Sequence, residues 1–535
     1  MFEWPFREAF TKGVRPDDRN EPNTQWLRFC YNLSATPWGL RPVRTLVQPI
    51  TDAALTAAGI TKSYPWPQLF RMKAGYSLLF DNDAVFLVTE SPTGNWTIAA
   101  ISTYKWTDYD WAADTASANL ITTGDEWHVI DLWNVWMAFN GSCIVFKTGF
   151  SSKVFVVDGV TIKTGAAYQD GRIFYGGFNS ANLYALADWP TYLASLRGAV
   201  PTEEAKLLSS PMHTNWVWHS SIGMEDMLRF FSLTFMKYGS LAASPDTGFD
   251  ANDMLWQRLA MRNESGGTPM PYGGTVNKLM QLGEHMIAYG SDGIMALSPL
   301  NMDEGKLFGH REIPGLGLRT GVKAGTNVRA AAGGNEYAQA FVDEANDLWV
   351  LNPNLEAQKL GYRHIFSALT NVMVHYDPQE REWYFSADDD LSYRLPTGGG
   401  LTRVRQNPTT VFFGRTNSAT APIAIYEEHA ETNSRFRTEW FNAGKRKAVP
   451  QILRVNIEGS SGWTLYVYFR RTMTDTDQVS AASTGDGRGS YEFHVSGVQF
   501  YIYGTHTDPT TAELTALTVE MDDGSERRSV KKWQT

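Results

Sequence analysis

Between about residue 70 and residue 430, short apolar runs alternate with tight polar turns, and each turn leads into a second run that carries an aromatic residue. The pattern is seen at Tyr76–Val88, His128–Phe146, His285–Leu297, Tyr337–Leu351 and Val372–Phe385. The turns include Asp81-Asn82-Asp83, Asn140-Gly141, Asp158-Gly159, Asp170-Gly171 and Asp292-Gly293. Asn-Gly and Asp-Gly pairs tolerate positive φ, so between apolar runs they predict hairpins. A strand–turn–strand unit that recurs along a chain this long is the mark of a β-propeller or a related radial array. The spacing is uneven, roughly 40 to 60 residues, and predicts five to seven blades interrupted by insertions.

After about Glu431 the texture changes. Gln451–Glu458, Trp463–Arg470, Tyr491–Val495, Gln499–Tyr503 and Glu513–Glu520 alternate apolar and polar positions, as half-exposed antiparallel strands do. The fold expected is therefore all-β, an irregular β-propeller with insertions plus a C-terminal antiparallel β-sandwich. The organisation expected is an N-terminal arm and linker over 1–68, a propeller-like domain over 69–430 and the sandwich over 431–535. Residues 1–47 of the arm hold five prolines and an aromatic load (Trp4, Phe6, Trp26, Trp38) that suits packing on a neighbouring surface, in this subunit or the next. A short Ala-rich turn is expected at Asp52–Ala58. The insertion falls at about 180–272. Within it, Trp189–Leu196 reads as helical, and Glu225–Tyr238 as either a helix or a buried strand pair, which periodicity does not separate. Gly309–Gly334 reads as a long glycine-rich loop with local positive charge from Arg311, Arg319, Lys323 and Arg329.

Composition narrows the function. With 43% hydrophobic and 19% charged residues the chain has the makeup of a folded protein, and its 19 Trp, 23 Tyr and 28 Phe favour sheet. A net charge of −10 argues against a dedicated nucleic-acid binder, though a mildly acidic wall suits a surface past which DNA slides. Two cysteines, Cys30 and Cys143, exclude a disulfide framework and a multi-thiolate metal site, and are expected as buried free thiols. No signal-peptide pattern and no apolar stretch long enough to span a bilayer are seen, so synthesis in a cytoplasm without stable membrane insertion is expected.

The chemical motifs are sparse. There is no phosphate-cradling loop, dinucleotide fingerprint or nucleophile elbow. His213 and His219, six apart, read as ordinary strand histidines rather than metal ligands. Paired acids would matter in a sugar-cleaving propeller, where carboxyl groups stand about 5–9.5 Å apart. The densest runs, Asp388-Asp389-Asp390 and Asp343-Glu344 with Asp347, read instead as turn formers, and Asp246–Asp253 lacks the glycine and closing glutamate of a calcium loop. No catalytic, cofactor-binding or metal-binding residue is assigned, and an enzyme is not expected. The basic string Lys445-Arg446-Lys447 and the aromatics Trp4 and Trp26 are candidate subunit contacts.

Three passages carry a family resemblance. Asn215–Met224 (NWVWHSSIGM), Val374–Phe385 (VHYDPQEREWYF) and Glu439–Val455 (EWFNAGKRKAVPQILRV) are similar to segments of the propeller-containing tail nozzle or hub proteins of short-tailed bacteriophages. The resemblance covers about Thr214–Val519, in loose motifs, and not residues 1–70. It implies a structural virion protein without enzymatic activity or cofactor. Such a subunit forms a hexameric ring, contacts adaptor, fibre or spike proteins of the tail, and touches double-stranded DNA in passing during genome retention and ejection. In that reading Arg311, Arg319, Lys323 and Arg329 mark a channel or inter-subunit loop. The alternative is a carbohydrate-binding or carbohydrate-active propeller, with exposed tryptophans such as Trp106, Trp111 and Trp133 stacking on sugar rings.

Overall fold

The computed structural model describes residues 2–17, 25–42, 50–60, 67–91, 96–105, 110, 113–132, 135–147, 151–158, 162–177, 214–219, 266–300, 308–317, 320–323, 330–377, 381–386, 392–404, 433–442, 450–508 and 511–522. The N-terminal part forms β1 (Phe2–Pro5), α1 (Arg7–Lys12), β2 (Leu27–Tyr31), β3 (Leu33–Thr36), β4 (Gly39–Pro42) and α2 (Asp52–Ala57). Thr51 caps α2, its hydroxyl accepting from the Ala54 amide at 3.2 Å.

Six groups of mainly antiparallel strands follow among the described residues, five as separate small sheets and the sixth as the start of a larger one, each built mainly by hairpins between successive strands. The first holds β5 (Gln68–Arg71), β6 (Ser77–Phe80), β7 (Val85–Thr89) and β8 (Thr97–Ala100). The second holds β9 (Thr103–Lys105), β10 (His128–Leu132), β11 (Val135–Phe139), β12 (Cys143–Lys147) and β13 (Val154–Asp158), with β9 added in parallel on the outside of β13. The third is β14 (Thr164–Ala167), β15 (Ile173–Gly176), β16 (Trp216–His219) and β17 (Gly266–Pro269). The fourth is β18 (Val276–Leu282), β19 (His285–Gly290), β20 (Ile294–Pro299) and β21 (Phe308–Arg311). The fifth is β22 (Ala332–Gly334), β23 (Gln339–Val342), β24 (Leu348–Leu351) and β25 (Ala357–Gly361), followed by α3 (Arg363–Phe366). The sixth is β26 (Met373–Asp377), β27 (Glu382–Ser386), β28 (Ser392–Pro396) and β29 (Thr402–Val404).

One cavity relates these sheets. Leu69 on β5, His128 on β10, Ala166 on β14, Met280 on β18, Asn335 after β22 and His375 on β26 all line it, so each sheet turns its innermost strand to a common axis. Neighbouring sheets pack face to face. Phe80 of the first meets Trp136 of the second at 5.7 Å, and Tyr289 of the fourth meets Phe341 of the fifth at 5.6 Å. Met373 of the sixth lies in one core with Leu69, Leu79 and Phe86 of the first, which closes the circle. The chain is all-β, an irregular β-propeller with a C-terminal sandwich, and six blades are seen among the described residues. Blade strands buried on both faces read as unbroken apolar runs, as in β11 (VWMAF) and β15 (IFYG), where every position is buried. Gly333 marks a close approach between blades five and six: a β-carbon there would stand 2.2 Å from the Val374 carbonyl oxygen.

The remaining strands are β30 (Ser434–Thr438), β31 (Phe441–Asn442), β32 (Gln451–Gly459), β33 (Trp463–Arg470), β34 (Gln478–Val479), β35 (Ser490–Ser496), β36 (Gln499–His506) and β37 (Leu514–Asp522). They form the sandwich, but not alone. One sheet runs β3-β4-β37-β32-β35 with β1 beside β37. The other continues blade six through β29-β2-β30-β36-β33-β34, so a single ten-stranded sheet joins the two domains. Phe6, Phe10, Leu27 and Leu33 share one buried core with Phe436, Trp463, Leu465 and Val519. The segment expected as an arm and linker thus supplies four strands and a helix to the sandwich, within its own chain.

Two further expectations are refined. Gly309–Gly334 begins in β21, the outer strand of blade four, and ends in β22, the inner strand of blade five, so it is the connector that crosses from rim to axis. The helical readings at 189–196 and 225–238 lie outside the described residues. So do His213, Asp246–Asp253 and Asp388–Asp390. Cys30 and Cys143 are buried free thiols in different domains.

Candidate functional site

Two features stand out: the propeller axis and the outward face of the sandwich sheet that continues blade six. The axial cavity encloses about 430 Å³. Side chains of different blades tie together around it. The Trp127 amide donates to Gln68 Oε1 at 2.5 Å, joining blades one and two. Thr164 Oγ1 on blade three accepts from the Leu279 amide on blade four at 2.9 Å and lies 3.3 Å from His128 Nδ1 on blade two. Gln339 Nε2 on blade five donates to the Gln281 carbonyl at 2.7 Å, and Tyr289 OH donates to Gln339 Oε1 at 2.7 Å. Lys278 on blade four reaches Glu126 ahead of blade two at 3.0 Å, spanning blade three, and both side chains are nearly buried. Close by, burial lowers the pKa of Lys163, opposed by the neighbouring charge of Asp125. The axis is thus a polar seam in which charges are consumed by blade-to-blade contacts.

The acids named from the sequence are tied up within blade five and its incoming connector where they are described. Asp343 accepts from the Asp347 amide at 2.7 Å and from Trp349 Nε1 at 2.8 Å. Asp347 pairs with Lys359 at 2.8 Å and Arg363 at 2.7 Å. Burial alone would raise its pKa, but these two cations outweigh it and hold the carboxyl below its usual range. Glu344 accepts from the Gly321 amide at 2.7 Å. His219 is buried against Phe174 and Phe308, with ring centroids 5.6 and 5.2 Å away. Among the described residues no group of three or more His, Cys, Asp or Glu is arranged to hold a metal ion.

Of the candidate loop cations, Arg311 is exposed on the outer strand of blade four, away from the axial lining. Lys323 is half-buried; its ammonium donates to the Phe366 carbonyl at 2.7 Å and to Asn346 Oδ1, and burial lowers its pKa. It is a strut within its own chain. Arg319 and Arg329 lie outside the described residues, as do Lys445, Arg446, Lys447, Trp106, Trp111 and Trp133. The backbone of Trp4 pairs with Val519 in the sandwich. Trp26 is half-buried beneath Lys12, whose ammonium lies 5.5 Å from the ring centre.

The outward sheet face was not anticipated. Strand alternation places Tyr466, Tyr468 and Arg470 of β33 on one side, beside Tyr501 and Tyr503 of β36, Arg435 and Arg437 of β30 and Tyr31 of β2. Tyr501 is the hub. Arg437 lies 3.9 Å over its ring, Tyr468 stacks on it at 4.5 Å, and Trp440 meets it edge-on at 4.5 Å. Arg470 covers Trp440 at 4.4 Å and also bridges Asp477 at 2.6 Å. Desolvation pushes the Tyr501 hydroxyl up to about 12, with Arg437 working against the rise. The motif WTLYVYFR in β33 was the signal available in sequence; the partners on β30 and β36 needed the register.

A second buried cluster fastens the sandwich to the propeller. Ser34 of β3 donates to Glu382 of blade six at 3.0 Å, Tyr384 OH donates to the same carboxylate at 3.2 Å, and Arg394 Nε completes the group. All four residues are buried.

No family model and no curated protein matches the chain. It is similar to PorZ, a surface component of the type-IX secretion system of Porphyromonas gingivalis, at 8% identity and a TM-score of 0.31, over 71% of this chain but only 42% of that one. Virginiamycin B lyase from Staphylococcus aureus is 9% identical with a TM-score of 0.31, over 63% and 83% of the two chains. AztD from Citrobacter koseri is 10% identical with a TM-score of 0.28, over 83% and 90%. Likeness at this level carries no argument about function, and none of these three is a phage tail protein. The class of protein rests on the sheets themselves: a propeller whose last blade runs on into a sandwich.

Proposed function

We propose that this chain is a structural, ring-forming subunit of a bacteriophage tail nozzle or hub, and that its propeller is a wall element rather than a reaction chamber. The observation that supports this best is the joining of the two domains. A ten-stranded sheet and the Ser34–Glu382–Arg394–Tyr384 cluster hold propeller and sandwich as one stiff piece, which a conduit wall under load requires. The described acids and the axial Lys278–Glu126 pair are used for cohesion. In this reading the chain acts without catalysis or cofactor and contacts other tail proteins and passing DNA. The test is the native mass of the purified chain together with negative-stain imaging: a sixfold ring is expected, and a single chain even with tail proteins present would overturn the reading.

The carbohydrate reading has one observation in its favour, the polar axial cavity with Phe70 and Tyr376 on its wall beside His128 and His375. It calls for glycan binding that falls when His375 and Tyr376 are replaced by Ala. A silent glycan array removes it.

A further inference from the structure

The two outward faces of the sandwich carry opposite charge. On the face centred on Tyr501, Arg403, Arg435, Arg437 and Arg470 stand among tyrosines, with Arg403 lying 6.0 Å over Tyr31. Two described acids stand beside them: Asp477 is taken by Arg470, and the buried Glu439 is shared among Arg437, Arg28 and Arg15, so the arginines stay in excess. On the other sheet, the register aligns Glu3 of β1 with Glu520 of β37, Glu520 with Arg454 of β32, and Arg454 with Glu492 of β35. That cross-strand row sets three carboxylates against one guanidinium, with Arg454 reaching Glu492 at 3.3 Å. Glu458 and Asp522 add to the same face. Placing Glu3 directly opposite Glu520 costs stability in an isolated chain, because like charges on paired strands repel. A cationic surface arriving from outside would turn that cost into a gain.

We propose that the sandwich associates head to tail, the arginine–tyrosine face of one copy docking on the glutamate row of the next. The inference rests on the ring-forming reading above and specifies the surfaces that build the ring. A contact between two different faces is heterologous, and it closes into a ring when its rotation permits. The basic face suits the purpose: interfaces enrich Tyr, Trp and Arg, and these side chains already hold one another at 3.9 to 4.5 Å, so docking freezes few rotamers. With a net charge of −10, copies of this chain repel at long range and are drawn together only where complementary faces meet.

The test uses the full-length chain and mass photometry at about 0.05 M and about 0.5 M salt, where screening lengths differ severalfold. Wild type is expected to assemble at low salt and to lose on the order of 100-fold in association at high salt. R437E/R470E and E492K/E520K are each expected to remain single chains, and their equimolar mixture to assemble, because each supplies the face the other lacks. The Glu492 side chain is 71% exposed, so Glu492→Gln alone weakens assembly without setting a like charge opposite Arg454 and serves as the control for misfolding. Variants that assemble as wild type overturn the head-to-tail contact and leave the ring reading standing. A wild type that stays a single chain at both salt concentrations overturns the head-to-tail contact, and one that stays so with tail proteins present overturns the ring reading as well. Unchanged assembly with lost oligonucleotide binding in R437E/R470E would give the basic face to nucleic acid and overturn the proposal.

Discussion

Propeller and sandwich bury their strands differently, and the difference shows where the chain keeps its charged chemistry. A blade strand lies between two neighbouring blades and is buried on both sides, as every residue of β6 (SLLF) and β23 (QAFV) is. A sandwich strand has one wet face, and β33 alternates buried and half-buried without a break along its eight residues. In the propeller, polar groups therefore collect at the axis and at blade edges, where they stitch blade to blade. In the sandwich they form open faces, of which one is arginine–tyrosine and the other glutamate. The propeller is inward-looking and the sandwich faces outward.

The hardest test of that division removes residues 2–42. If β1–β4 and α1 are integral to the sandwich, the shortened chain loses the core of Phe6, Phe10, Leu27 and Leu33, and its C-terminal region becomes protease-sensitive while the blades stay protected. Wild-type protection of residues 450–522 in that chain would refute the shared core. Next in size, Trp463→Ala opens a hole in the same core and is expected to cost about 3–5 kcal/mol in denaturant unfolding. Arg394→Met leaves the Glu382 carboxylate buried beside Ser34 and Tyr384 without its cation, at an expected cost of about 3 kcal/mol. If the two domains are one mechanical piece, this change lowers the melting of both together; separation into two transitions would show the junction to be loose.

The smallest effect concerns Glu439, buried beside the junction. Desolvation raises its pKa although Arg28, Arg15 and Arg437 lie near and oppose the rise. A carboxyl with a raised folded-state pKa binds its proton more tightly folded than unfolded. Its contribution is fully present below the unfolded value, and is lost as pH rises from that value through the folded one. Glu439→Gln should flatten the stability profile in that window, and a slope that is unchanged between the two proteins would rule the group out.

The sandwich strands were legible because alternation reports one buried face: Gln451–Glu458 and Trp463–Arg470 became β32 and β33 within a residue. The blade hairpins were legible from their turns, with Tyr76–Val88 and His285–Leu297 each folding as paired strands. What could not be read was pairing between distant segments. The irregular start of the chain gives no local sign that β1 lies beside β37 or that Tyr31 faces Arg435. The same limit hid the candidate surfaces. Tyr468 and Tyr501 are separated by β34, β35 and their loops, and Glu3 and Glu520 by almost the whole chain, so only the register brings them together.

The pairing of β1 with β37 also sets a timetable. A ribosome releases the first strand long before the last. At about 5–20 residues per second, roughly 500 intervening residues take on the order of half a minute to two minutes. Through that interval Phe6, Phe10 and Leu27 have no finished core to enter, while the blades, made of hairpins between neighbours, can close as they emerge. Synthesis therefore passes through a stage in which finished blades follow an unsatisfied, sticky segment of β1, α1 and β2, and the appearance of β37 ends its wait.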